Sequence, residues 1–407
     1  MKEIPSNIHL QSGKKPYNIG MKPIKLVSDT IDREDICGLI NWLNQPEIPQ
    51  LTKGPITKEY ESKFSDWLGT KHSVFVNSGS SAILLGLAAL KFGGKLKNNK
   101  IVVPDLSWAT DVSSPLMLGL DPILIDANEQ DLSVDLDRLE WIFKRQNPSA
   151  FILVSVLGLV PDMDKIVELC DTYDVLLIED VCESMGSEYK GKKLGTFGIM
   201  SFYSMYYGHH ISTIEGGMVC TNYDEINELL LMIRSHGWDR DLDEGSKNVL
   251  RSTNRVDDFS AQFAFYLPGL NVRSTDLQAV IGLRQVDKID QFSAARNKNF
   301  KLYQELLDDE DSLLDIIDRE DCFISSFCYP IVSYDRDKIV KRLRDNGVEC
   351  RPLIAGSMTM SPMWRKFGTG HTNIPVSTMI NKYGFYVPNH QGMTEEDVRN
   401  IVKLIKG

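Results

Sequence analysis

The segment Ser204-Met-Tyr-Tyr-Gly-His209-His210-Ile-Ser-Thr-Ile-Glu215-Gly-Gly217 sets two adjacent imidazoles between a hydroxyl side chain and a Gly-Gly pair. An imidazole takes or gives a proton near neutral pH, so either histidine is a candidate general base. A second group of small residues, Asn77-Ser78-Gly79-Ser80-Ser81-Ala82, stands where a strand pattern gives way to an apolar helix. Backbone N–H groups at such a helix start point at an anion. Neither familiar phosphate signature is complete, because G-K-[ST] and G-x-G-x-x-G are both missing. Read alone, Ser78 is an ordinary helix cap. Asp180 closes the run Val175-Leu-Leu-Ile-Glu-Asp180, and ligands of open α/β sheets collect at that strand edge. A carboxylate there holds a protonated ring nitrogen by a charge-assisted hydrogen bond, or it caps the next turn. Trp108, in Pro104-Asp-Leu-Ser-Trp-Ala-Thr110, offers a flat face for stacking or a plain apolar filler.

Strands and helices must alternate to bring these residues to one edge. The pattern predicts helices over 32–45 and 57–69, then strand-like 72–77 and a helix over 82–92. Short strands follow at 101–104, 122–126 and 151–156, with a helical stretch after Ser107. A helix over 162–173 leads to the strand at 175–180. This alternation predicts an α/β fold with a large, mostly parallel sheet covered by helices. After about residue 290 the texture changes to a smaller α+β unit: a helix over 291–307, an extended segment at 323–332 and a terminal helix over 395–405. Residues 1–30 read as an extended arm. The expected division is 1–290 for the large domain with its arm and 291–407 for the small one.

Composition narrows the function classes. With 407 residues the chain is long enough for a substantial core. A net charge of -11 argues against nucleic acid and anionic membrane as partners, but not against a small phosphorylated ligand. The longest apolar run, 150–160, is too short to span a bilayer, and the N-terminus has no apolar signal core. Seven cysteines fall without a C-x-C or C-x-x-C pair, which points to reduced thiols, a cytoplasmic protein and no metal or iron–sulfur site.

Together the pieces resemble one family. Asn77-Ser-Gly-Ser-Ser-Ala, Pro104-x-x-x-Trp108, Ile178-Glu-Asp180, Gly195-Thr-Phe-Gly198, Ser204…His209…Glu215-Gly-Gly217, Arg234-x-His236-Gly237 and Gly269-x-Asn271-x-Arg273 run in the order seen in the DegT/DnrJ/EryC1/StrS family. These are nucleotide-sugar aminotransferases of the fold-type I pyridoxal-phosphate class, and the resemblance covers the chain from about Ile24 onward. It implies that Gly79, Ser80 and Ser204 bind the cofactor phosphate. It implies that Asp180 pairs with the pyridine nitrogen and that Trp108 stacks on the ring. Asn271 would reach the phosphate of a neighbouring subunit's cofactor, so a homodimer with shared sites is implied.

Two positions depart from the usual pattern. His209 stands where the family's lysine would hold the cofactor covalently, and Glu183 stands in the place of a glutamine. Both departures resemble a branch that uses pyridoxamine 5'-phosphate and removes a hydroxyl instead of adding an amine. The implied activity is a 3-dehydratase on a nucleotide-linked 4-keto-6-deoxy sugar, serving deoxysugar and surface-polysaccharide synthesis. His209 would be its base, and L-glutamate would regenerate the cofactor from pyridoxal 5'-phosphate. An iron–sulfur branch with the same histidine carries a C-x-C pair that is missing here. The family's Gly-Asn-x-Thr-Arg-Gln-Pro reads Gly356-Ser-Met-Thr-Met-Ser-Pro362, so Met360 replaces an arginine and leaves the nucleotide open. Two other readings remain: an aminotransferase with a relocated lysine, for which Lys190, Lys192 and Lys193 are nearest in sequence, and a non-catalytic sugar- or cofactor-binding regulator. His210 is a second candidate base, and His236 is expected to support the site or a loop.

Overall fold

The computed structural model describes residues 23–307, 312, 314, 316, 319–370 and 373–407. Most of the expected arm therefore lies outside the described residues. After α1 (Arg33–Leu43) and α2 (Pro55–Leu68) the chain alternates. The order is β1 (His72–Val76), α3 (Gly79–Phe92), β2 (Lys100–Pro104), α4 (Ala109–Met117), β3 (Asp121–Ile125), α5 (Leu136–Gln146), β4 (Ala150–Val154), α6 (Met163–Thr172) and β5 (Leu176–Asp180). Two short strands, β6 (Glu188–Tyr189) and β7 (Lys192–Lys193), precede β8 (Met200–Ser204) and β9 (Gly217–Thr221). Four helices follow: α7 (Asp224–Arg234), α8 (Glu244–Asn254), α9 (Asp276–Val286) and α10 (Ile289–Leu306).

Seven strands form one sheet in the order β1-β9-β8-β5-β4-β2-β3, and β9 alone runs against the rest. β2, β4, β5 and β8 are almost entirely buried, which is why β4 and most of β2 read as apolar runs, whereas β5 ends in Glu179-Asp180 and β8 carries Ser201 and Ser204. α3 is apolar nearly all round because it lies on β8 and β9 and is covered by α4 and α7. Each leucine it buries contributes roughly 1.5–3 kcal/mol. The fold class expected from the alternation is the one observed.

The rest of the chain is β10 (Cys322–Phe323), β11 (Cys328–Val332), α11 (Arg336–Asp345), β12 (Arg351–Pro352), α12 (Pro362–Phe367), α13 (Pro375–Tyr383), β13 (Gly384–Pro388) and α14 (Glu395–Lys406). β11, β13 and β12 make a small antiparallel sheet against α11, and α14 packs on α10 and α11. The extended segment expected over 323–332 is in fact two strands. β10 pairs with β6, whereas β11 pairs with β13, so the chain must turn at Ser325–Phe327 between the two sheets. The described end of the arm is tied down. Ile24 bridges Val348, and the Leu26 N–H donates to Glu349 at 3.0 Å, so it packs on the C-terminal part of the chain. Among the described residues no helix is long and apolar enough to cross a membrane.

Candidate active site

A cavity of about 200 Å³ opens at the C-terminal edge of the large sheet. Gly79, Ser80, Trp108, Asp180, Glu183, Ser204 and His209 all line it. The sheet explains the convergence. β5 ends at Asp180 and β8 ends at Ser204, while α3 begins at Gly79 just past β1. α3 uses Ser78 as its cap, with the side chain accepting from the Ser81 N–H at 3.0 Å. The simple capping role is thus present, and it leaves the first N–H groups of Gly79 and Ser80 without intrahelical partners at the cavity wall. Two glycines keep this corner bare. A Cβ on Gly79 would fall 2.8 Å from the Ser204 Cβ, and one on Gly217 would fall 2.3 Å from the Ser78 carbonyl oxygen. The space fits a phosphate group held by N–H and hydroxyl donors.

Asp180 also serves its own turn, accepting from the Cys182 N–H at 2.9 Å. Burial raises its pKa, against the hydrogen bonds from Cys182. Glu183 is half-buried and takes the Leu157 N–H at 3.2 Å; Leu157 lies in a left-handed turn with φ 52°. Burial lifts the Glu183 carboxyl to about 7. Trp108 remains 54% exposed with its indole on the cavity wall, which leaves room for a ring to stack there.

His209 Nδ1 lies 2.7 Å from the Cys182 carbonyl oxygen. A carbonyl only accepts, so Nδ1 carries the hydrogen and Nε2 keeps its lone pair. Burial, aided by the charge of Arg296, holds the imidazole pKa down at about 4, so the ring is neutral at pH 7. His210 is turned away. It is buried outside the cavity lining, with Nε2 2.9 Å from the Ser325 carbonyl oxygen. His236 also lies off the cavity. Its backbone N–H donates to Leu270 at 2.7 Å and its ring meets Trp238 edge-on, so it serves a loop. Among the described residues the lining contains no lysine. Lys190 pairs with Asp164, while Lys192 and Lys193 lie over Phe197 and Trp67.

Asn271 does not join the others. It is exposed, bridges Ser235, and lies outside the lining of this cavity. Met360 is half-exposed and likewise outside the lining. Several lining residues carried no sequence signal: Val27, Cys182, Phe327, Arg351 and Tyr386. Arg351 and Tyr386 arrive on β12 and β13 across the small sheet, where Arg351 pairs in register with Tyr386. Arg296 is also unexpected. Its guanidinium is buried and donates to the Ser326 and Phe327 carbonyls at 3.3 and 2.9 Å.

A bare phosphate corner, a carboxylate at a strand end, an open indole face and a neutral imidazole define an enzyme site suited to a phosphorylated aromatic cofactor. The chain belongs to the DegT/DnrJ/EryC1/StrS aminotransferase family, whose model matches residues 33–406. It is 33% identical over 391 residues to the GDP-4-keto-6-deoxy-D-mannose 3-dehydratase of Yersinia pseudotuberculosis, covering 94% of this chain and 98% of that one. Among solved structures it resembles a GDP-4-keto-6-deoxymannose-3-dehydratase (ColD), a histidine-to-asparagine mutant with bound GDP-perosamine. The TM-score is 0.85 at 31% identity, covering 94% of this chain and all of that one. A structure of GDP-4-keto-6-deoxymannose-3-dehydratase with a trapped PLP-glutamate geminal diamine matches with a TM-score of 0.84 at 31% identity, covering 94% and 100%.

Proposed function

We propose that this enzyme is a pyridoxamine-phosphate-dependent 3-dehydratase that removes the C3 hydroxyl of a nucleotide-linked 4-keto-6-deoxy sugar. The observation that carries the reading is His209: a neutral imidazole whose Nε2 keeps its lone pair, in a cavity that no lysine among the described residues lines. Gly79, Ser80 and Ser204 would hold the cofactor phosphate, Asp180 the ring nitrogen, and Trp108 one face of the ring, with Glu183 beside it. When bound, the cofactor supplies an amine that condenses with the sugar's C4 ketone and a ring that accepts an electron pair. His209 Nε2 would take a proton from the cofactor carbon that bears the amine and return it to the departing 3-hydroxyl oxygen, which leaves as water. The Cys182 carbonyl keeps the ring in the tautomer that allows this.

Over a full cycle, the sugar loses one oxygen and L-glutamate becomes 2-oxoglutarate and ammonia. We assign glutamate as donor on the strength of the glutamate adduct in the solved relative. We further propose a homodimer in which Asn271 completes the neighbouring site, and a division between domains near residue 290. We place the enzyme in the cytoplasm, where its seven unpaired cysteines remain reduced. The relatives favour a GDP-linked substrate, and Met360 makes the nucleotide worth testing. Incubation with pyridoxamine phosphate, glutamate and GDP-, CDP-, dTDP- and UDP-4-keto-6-deoxy sugars separates the possibilities by product mass. A GDP sugar lighter by one oxygen is expected; a 4-amino sugar, or no product from the panel, contradicts the proposal.

A further inference from the structure

Asp111 is fully buried in the first turn of α4, immediately after Thr110 of the cavity wall. Its backbone N–H donates to the Trp108 carbonyl at 3.1 Å. Neither of its carboxylate oxygens has a hydrogen-bond donor among the described residues. The side chain it meets is Asp180, another carboxylate. Two carboxylates in contact in a buried site do not both ionise; one keeps a proton and donates it to the other.

We propose that Asp111 is a positioning residue that stays protonated and donates its O–H to Asp180, which keeps Asp180 an anion facing the cavity. The two environments decide which partner holds the proton. Asp180 has the Cys182 N–H at 2.9 Å to steady its charge, whereas for Asp111 the pull of the Trp108 backbone is outweighed by burial and by the Asp180 carboxylate. Burial, then the neighbouring Asp180 and Glu183 carboxylates, push Asp111 well above the usual range. The titratable groups set against Asp111 are Asp180 on β5 and Glu183 and Cys182 in the loop that follows. The start of α4 pulls the other way, favouring an anion. That pull is weaker than the cost of burying an unpaired carboxylate. The O–H donated to Asp180 is a charge-assisted bond, so it fixes the orientation of the carboxylate as well as its charge. The inference rests on the reading of Asp180 as partner of the cofactor ring nitrogen.

The proton is read directly by infrared spectroscopy of the cofactor-free protein at about pH 9, above the Glu183 transition at about 7. The expected spectrum has a protonated carboxylic C=O stretch that shifts in heavy water. It persists in Glu183→Gln and vanishes in the isosteric Asp111→Asn. No such band in the native protein, or a band that survives Asp111→Asn, overturns the proposal. Pyridoxamine phosphate binding then tests the positioning role. Asp111→Asn keeps a donor toward Asp180 and should bind within about threefold of the native protein. Asp111→Leu removes the donor and should bind about tenfold more weakly, the effect of one lost hydrogen bond. Native-like binding by Asp111→Leu overturns the positioning role. Asp180→Asn is the control: if it too binds the cofactor normally, the ring-nitrogen reading fails, while the spectrum still reports the proton on Asp111.

Discussion

One hydrogen bond, from His209 Nδ1 to the Cys182 carbonyl, decides what the histidine can do. It fixes the tautomer and leaves Nε2 as an acceptor, and burial keeps that acceptor unprotonated at neutral pH. His209 should therefore titrate at about 4 in the cofactor-free protein, well below the ordinary 6.5. Nitrogen-15 NMR of the imidazole, assigned with His209→Asn, measures this; a midpoint at or above 6.5 contradicts the geometry. His209→Asn should bind pyridoxamine phosphate normally and lose at least about a hundredfold in turnover, the usual scale for a general base. A near-normal rate would remove His209 from that role. Glu183 makes a prediction of opposite character. Its folded pKa is raised from 4.5 to about 7, so its contribution to stability is fully present below 4.5 and is lost as pH rises through 7. Glu183→Gln should therefore leave thermal stability unchanged near pH 4.5. At pH 8 it should stabilise the cofactor-free protein by about 1–2 kcal/mol, after discounting the part of the side chain open to the cavity. Calorimetry at the two pH values checks this, and equal stability at pH 8 contradicts it.

At the scale of elements, the catalytic edge is made by where strands stop. Asp180 and Ser204 are the last residues of β5 and β8, and Gly217 is the first of β9. Gly217 lets β9 pass against the start of α3, so Gly217→Ala must push that turn away from Ser78. We expect weaker pyridoxamine phosphate binding, by about tenfold or more, with the fold retained; unchanged affinity would show that the corner does not bind the phosphate. Five of the seven strands of the large sheet were legible because buried strands and the helices between them give different periods; β8 and β9 were not, since Met200-Ser-Phe-Tyr-Ser204 is broken by serines and Gly217 opens β9 on a Gly-Gly pair. The residues that meet at the cavity were legible only as a set, since Ser78 and Asp180 each also perform the ordinary capping task that their sequence context suggests. What stayed hidden depends on pairing across the chain. Asp111 reads as a helix-start acid until Asp180 is placed against it. Arg296 reads as a surface residue of a polar helix until two loops, at 326–327 and 389–391, close over it. The strand break at Ser325–Phe327 follows from two different pairing partners, which local periodicity does not carry.

At the scale of the molecule, the cavity is closed by parts distant in sequence: Val27 from the arm, Phe327 from the turn between sheets, and Arg351 and Tyr386 from the small sheet. Of the residues expected to hold the cofactor, Asn271 alone lies outside the cavity lining, which is the arrangement required if it serves a neighbouring subunit. Sedimentation should give a particle of twice the 46.0 kDa chain mass; a monomer that is fully active would contradict the shared-site arrangement. The missing lysine then has a consequence for the whole reaction. An aminotransferase leaves the nitrogen of glutamate on the sugar, whereas a dehydratase releases it. The most direct measurement is the ratio of ammonia to 2-oxoglutarate formed with the accepted nucleotide sugar. The account predicts one ammonia for each 2-oxoglutarate, with a 3-deoxy-4-keto sugar; 2-oxoglutarate without ammonia, alongside an amino sugar, would contradict it.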